Sequence, residues 1–216
     1  RRFVELYPNT QQGILARFYI AESQFQLKKF EEAKAAYQNF ALSYQLHPQA
    51  PEAWWKIGEC NFNLDKINDA AIAFERIKVF HPTSELAPKG LLRSSECYSL
   101  LNDFVNAERT LKTLLAEYLS AEVQLNARQK LADIYIRQNQ YPRAIEEYNT
   151  IINSDISKDA KSLAQIALGR LLAVTGKISA AEKIFKDIII NYSLNPIADS
   201  AKIEMGKLYV DIGDYG

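Results

Sequence analysis

Residues 50–82 read APEAWWKIGECNFNLDKINDAAIAFERIKVFHP. Apolar residues recur at i, i+3, i+4 and i+7 on both sides of a polar break at Asp65-Lys66, which marks two amphipathic helices joined by a short turn. Pro51 stands in the first turn of the first helix, where a missing N–H costs little, and His81-Pro82 closes the second. The unit then recurs. Phe30, Ile67, Phe104, Tyr141 and Ile178 follow one another at a constant interval of 37 residues, and Tyr215 extends the series. A period in the range of roughly 20–50 residues denotes an array of supersecondary units, each burying its apolar face against the next.

Alignment on that interval turns the chain into columns. Three residues after each anchor stands alanine: Ala33, Ala70, Ala107, Ala144 and Ala181. Twelve before that alanine the residue is small (Ala21, Gly58, Ser95, Ala132, Gly169, Gly206), as it is five further back (Ala16, Ala53, Gly90, Ala127, Ala164, Ala201). Helix axes about 8–10 Å apart leave room only for small residues at the crossing. Bulky partners flank it: Tyr37, Phe74, Leu111, Tyr148 and Phe185 in one column, Phe40, Ile77, Leu114, Ile151 and Ile188 in the next.

Each copy is thus predicted to be a helical hairpin. The first helix, A, is expected over about 14–27, 50–64, 87–101, 124–138, 161–175 and 198–212, and the second, B, over about 30–44, 67–80, 104–118, 141–153 and 178–192. Lys-Lys, Asp-Lys, Asn-Asp, Asn-Gln and Gly-Lys separate A from B. No segment alternates with period two, so the expected class is all-α: an α-solenoid of antiparallel helical hairpins. Residues 1–8 read as part of a helix B, repeats start near 14, 50, 87, 124 and 161, and 198–212 is a last helix A, so 1–216 is expected to be one array cut from a longer one.

The arrangement resembles the tetratricopeptide repeat. Its pattern of a large residue, Leu-Gly, Tyr, Ala, Phe and a closing Pro is met by Trp54, Ile57-Gly58, Ala70, Phe74 and Pro82, and again by Leu131-Ala132, Tyr135, Ala144 and Tyr148. The unit here is three residues longer, Ser94 stands for the expected leucine, and Asn61 and Leu172 for the expected tyrosine. The resemblance implies a right-handed superhelix and a non-catalytic, protein-binding role. Longer units closing on Tyr7-Pro8 or His81-Pro82, with Tyr44, Tyr118 and Tyr192 in the same column, are similar to those of BamD-type outer-membrane assembly lipoproteins and Tol-Pal-associated (YbgF-like) periplasmic repeat proteins.

With 26 basic and 26 acidic residues the formal charge is zero, which disfavours a nucleic-acid groove. No apolar run is long enough to span a membrane. Cys60 and Cys97 stand one repeat apart on successive A helices, too far for a disulfide to reach, and read as core residues. His47 and His81 read as turn and packing residues, since neither has a second ligand at metal spacing. Asp211 and Asp214 offer too few oxygens for a calcium loop. No cofactor, metal or catalytic residue is expected.

In the resembled family three helix A positions line the concave face. The first reads Phe18, Trp55, Leu92, Gln129, Ile166 and Ile203; the last reads Phe25, Phe62, Ser99, Ile136, Ala173 and Val210. Phe18, Phe25, Trp55 and Phe62 are either an open aromatic patch for a partner or rings buried by longer helices. The middle position is charged and changes sign: Glu22, Glu59, Glu96, Asp133, then Arg170 and Lys207. Lys56, Arg93 and Lys130 sit three residues before an acid, so i, i+3 pairs are expected. The ladder is either a self-paired solvated face or a groove orienting an extended peptide. The family's clamp for a C-terminal carboxylate is matched only at Lys89 and Arg93; Phe18, Glu22 and Lys56 occupy its other positions, and Glu22 would repel a carboxylate.

The expected function is a non-catalytic scaffold binding a peptide or protein in its groove, within a bacterial envelope assembly in the periplasm or at the outer membrane. A cytoplasmic adaptor array and the non-catalytic region of a larger enzyme are the alternatives. Self-association through the cut repeat ends is a further expectation.

Overall fold

The computed structural model describes residues 2–213. Among them stand twelve α-helices and no strand. The A helices are α2 (Gln11–Gln26), α4 (Ala50–Asn63), α6 (Leu86–Leu100), α8 (Ala121–Arg137), α10 (Lys158–Val174) and α12 (Pro196–Ile212). The B helices are α1 (Arg2–Leu6), α3 (Phe30–Ser43), α5 (Ile67–Phe80), α7 (Phe104–Glu117), α9 (Tyr141–Asn153) and α11 (Ile178–Asn191). Helices α1–α7 form one compact unit ending at Tyr118, and α8–α12 form a second beginning at Leu119. Within each unit successive helices pack as antiparallel hairpins. Tyr215 and Asp214 lie outside the described residues.

Helix starts differ from the sequence expectation where a cap intervenes. The hydroxyls of Thr10, Ser120 and Ser157 accept the N–H of Gly13, Val123 and Ala160 at 3.1, 3.4 and 3.2 Å. Each satisfies one of the orphan donors of a helix N-terminus. Consequently α2, α8 and α10 begin three residues before the expected 14, 124 and 161. The N-cap residues of α4 and α6, Gln49 and Glu85, make no side-chain cap bond, and these helices begin at Ala50 and Leu86, within one residue of expectation.

The turn between A and B uses one backbone device throughout. Lys28, Asp65, Asn102 and Asn139 have φ of 57, 59, 56 and 57°, and Gly176 and Gly213 continue the column at 78 and 73°. A left-handed residue costs a non-glycine about 1–2 kcal/mol. The cost is offset by capping: the N–H of Lys29, Lys66, Asp103, Gln140 and Lys177 returns to the carbonyl of Gln24, Asn61, Tyr98, Tyr135 and Leu172, the long bond of a Schellman motif. This fixes the angle at which each B helix folds back on its A helix.

The columns pack as the crossing argument requires. Ala33, Ala70, Ala107, Ala144 and Ala181 are wholly buried, and the bulky columns beside them are buried as well, Tyr148 the least so at 6%. Gly58 is needed for close approach, since a Cβ there would stand 2.5 Å from the Phe74 ring, and at Gly90 one would stand 2.6 Å from the Phe74 carbonyl oxygen. Polar ties run between repeats. Glu75 on α5 accepts from Arg109 Nη2 and Thr110 Oγ1 of α7, both at 2.8 Å. Tyr118 Oη donates to the Pro82 carbonyl at 3.1 Å, which gives the closing tyrosine column its role. Cys60 and Cys97 are buried and free, and burial pushes their thiols up to about 12 and about 11.

Candidate functional site

In the first unit the A helices bring Glu22 and Phe25 of α2 beside Lys56 and Glu59 of α4. Glu22 accepts from Tyr37 Oη at 2.6 Å and from Gln26 Nε2 at 2.8 Å. Burial would raise its pKa, but these bonds and the Lys56 charge outweigh burial and hold it below the usual value. Lys56 Nζ pairs with Glu59 at 2.9 Å and lies 4.6 Å from the centre of the Phe25 ring. Burial opposes that ammonium, yet Glu59, Glu22 and Glu52 together raise its pKa. The next step repeats the device: Arg93 of α6 pairs with Glu96 at 2.9 Å and lies over Phe62 at 4.8 Å. A cation over an aromatic face contributes about 0.5–1 kcal/mol at such partly exposed sites.

This resolves the aromatic patch. Phe18 is a core residue at 6% exposure, edge-on to Tyr37 and Phe40 with centroids at 5.5 and 5.3 Å, so its assignment to an open face is corrected. Trp55 is half-buried, its ring edge-on to Phe74 at 5.0 Å. Phe25 and Phe62 are each covered by a cation from the following A helix, and Leu92 is half-buried. The physical reason is that the following A helix carries a cation, Lys56 or Arg93, over the preceding repeat's ring. In the first unit the face is therefore filled by its own side chains.

The second unit differs at several columns of this face. Lys56 and Arg93 have their equivalent on α10 at Ala167, and Phe25 and Phe62 have theirs on α8 at Ile136. With no long cation to fill the space, a hollow of about 320 Å³ opens between α8 and α10, lined by Asp133, Ile136, Tyr141, Tyr148, Ala167, Arg170, Leu171 and Val174. Asp133, Ile136 and Arg170 are the sequence-predicted members. Tyr141, Tyr148, Ala167, Leu171 and Val174 were missed, although the break from Lys/Arg to Ala at 167 is visible in the columns. Lys207 is exposed on α12 and pairs with Glu204 at 2.9 Å instead of joining them.

The polar groups of the hollow are not spent on one another. Tyr148 takes the place of Tyr37 and Asp133 that of Glu22, yet they influence each other only through charge, and no ion pair joins Asp133 to Arg170 among the described residues. Asp133 is open to solvent but crowded by protein, and burial raises its carboxyl pKa against the pull of Lys130 and Arg170. Burial, then Asp133, pushes the Tyr148 hydroxyl up to about 12. A raised carboxyl pKa means the folded state holds the proton more tightly, so this contribution to stability is present at acid pH and is lost as pH rises through the raised value. At neutral pH the ionised Asp133 is thus a net cost, and Asp133→Asn is expected to raise the melting temperature at pH 7 and to leave it unchanged near pH 3. A lower melting temperature at pH 7 would show that the carboxylate is paired.

Among the described residues no group of three or more His, Cys, Asp or Glu is placed to hold a metal ion, and no helix is long and apolar enough to cross a membrane. The profile of the Tetratricopeptide repeat matches residues 20–85 and 130–196, more than half of the chain and parts of both units. The chain belongs to the tetratricopeptide-repeat family. No curated protein matches it in sequence. Several solved structures share its fold, tetratricopeptide-repeat proteins among them. A protein from Parabacteroides merdae is 16% identical, with a TM-score of 0.64 over 94% of this chain and 75% of that one. MamA from Desulfovibrio magneticus is 17% identical, with 0.57 over 82% and 93%. YrrB, a repeat protein with an unusual peptide-binding site, is 14% identical, with 0.58 over 94% and 98%. At these identities the likeness establishes the tetratricopeptide-repeat fold alone.

Proposed function

We propose that this tetratricopeptide-repeat chain is a non-catalytic scaffold that binds an extended peptide or a protein segment along the A-helix face of its second unit. The observation that carries this is the hollow between α8 and α10, where a carboxylate, a guanidinium and a tyrosine hydroxyl converge without pairing. Convergent polar groups in an otherwise apolar concavity are the usual form of a recognition site. Glu22, Glu59 and Glu96 of the first unit are already engaged and serve stability. Random linear peptides displayed on phage and selected against the immobilised chain should yield binders of micromolar Kd, about −8 kcal/mol. A selection that enriches no peptide overturns the proposal.

The host assembly is proposed to belong to a bacterial cell envelope. Support comes from the 37-residue unit and its tyrosine closure at Tyr118 and Tyr192, which resemble those of BamD-type and Tol-Pal-associated repeat proteins. Fractionation of the native host should place the protein with periplasmic or outer-membrane material, and recovery in the cytoplasmic fraction would contradict this.

A further inference from the structure

The internal repeats supply a key to what the hollow accepts. In the first unit the equivalent space lies between Glu22 and Glu59, two carboxylates, and the chain fills it with a cation, Lys56, whose ammonium lies over Phe25. One repeat on, the walls are Glu59 and Glu96 and the filler is Arg93. In the second unit the walls have changed sign on one side only: Asp133 remains acidic, whereas Arg170 stands where Glu59 and Glu96 stood, and the filler is reduced to Ala167. A carboxylate only accepts hydrogen bonds and a guanidinium only donates them. An occupant carrying a full positive charge satisfies Asp133 but faces Arg170, and one carrying a negative charge does the reverse. The neutral group that offers both an N–H donor and a carbonyl acceptor at the end of a methylene stem is a carboxamide.

Resting on the peptide-binding reading above, we propose that the hollow between α8 and α10 is a pocket for a partner's glutamine or asparagine side chain. Its amide N–H groups donate to the Asp133 carboxylate, its carbonyl accepts from the Arg170 guanidinium, and its stem lies over Ile136 and Leu171 in the place that Lys56 and Arg93 take in the first unit. Asp133 and Arg170 are open to solvent in the free chain, so an apolar residue of the same size would displace their water without replacing its hydrogen bonds, which makes the pocket selective against it.

The test uses the full chain and the phage-displayed random linear peptides. Peptides selected on the native sequence are expected to share one Gln or Asn. Changing that residue to Leu should weaken binding about ten-fold or more, and Ala167→Lys, which fills the hollow from within, should abolish it while leaving the melting temperature at or above that of the native chain. Arg170→Glu rebuilds the two-carboxylate walls of the first unit, so selection on that variant should change from Gln/Asn to Lys/Arg. Peptides that share no carboxamide, that bind Ala167→Lys undiminished, or whose preference is unmoved by Arg170→Glu overturn the pocket while leaving peptide binding by the chain intact. A selection that yields no peptide on any of the three proteins overturns both.

Discussion

Replacing Trp54 by alanine is expected to destabilise the first unit by about 3–5 kcal/mol, the range for truncating a large core aromatic. Trp54 is 2% exposed, stacks on Phe80 at 5.5 Å and 11°, and carries the Arg76 guanidinium at 4.9 Å on its ring. The substitution removes the indole from between α4 and α5 and leaves Arg76 without its platform. Its neighbour gives the contrast. Trp55 is half-buried with one principal aromatic contact, to Phe74, so Trp55→Ala should cost distinctly less. Urea unfolding of the two variants reads the difference directly. Equal losses would mean that both indoles belong to one core.

Gly90→Ala is expected to destabilise by about 1–3 kcal/mol through overpacking, even though the same change in an exposed helix interior gains up to about 1 kcal/mol in propensity. The new methyl would meet the Phe74 carbonyl oxygen at 2.6 Å and Ile77 Cδ1 at 3.1 Å, and backbone cannot swing aside as a side-chain end can. Gly206 supplies the control. It stands in the other small column, on α12, where an alanine methyl would have nothing within 4 Å, so Gly206→Ala should be neutral or stabilising. Thermal melts that move in the same direction for both variants would refute the assignment of Gly90 to a helix crossing.

These two cases show what was legible in the sequence. A strict period exposes every position that must be small or large at a crossing, because the same packing problem is solved once per repeat. Hence Gly58, Ala70, Phe74 and their equivalents could be placed from the columns alone, and Asp65 or Asn102 marked as turn residues. Helix starts were less legible, since the capping serines Ser120 and Ser157 stand one repeat apart but their column reads Leu46, Thr83 and Leu194 in the other copies, so the cap is confined to two repeats. The candidate site was half legible. The charged ladder and the Lys56–Glu59 and Arg93–Glu96 pairs followed from i, i+3 spacing. The capping of Phe25 by Lys56 did not, because it joins residues 31 apart on different A helices, and an aromatic's spacing says nothing about what covers it. The hollow follows from an absence, Ala167 where Lys or Arg stood before, and acquires meaning only once Phe25 and Lys56 are seen together.

The central claim, that partners engage the A-helix face of the second unit, is tested most directly by a methyl-resolved NMR titration of the full chain with a selected peptide. The account predicts shifts centred on Ile136, Leu171 and Val174, which line the hollow, with Ile145 on the outward side of α9 unmoved. Shifts centred on Ile145 with Ile136 and Val174 unchanged would contradict it.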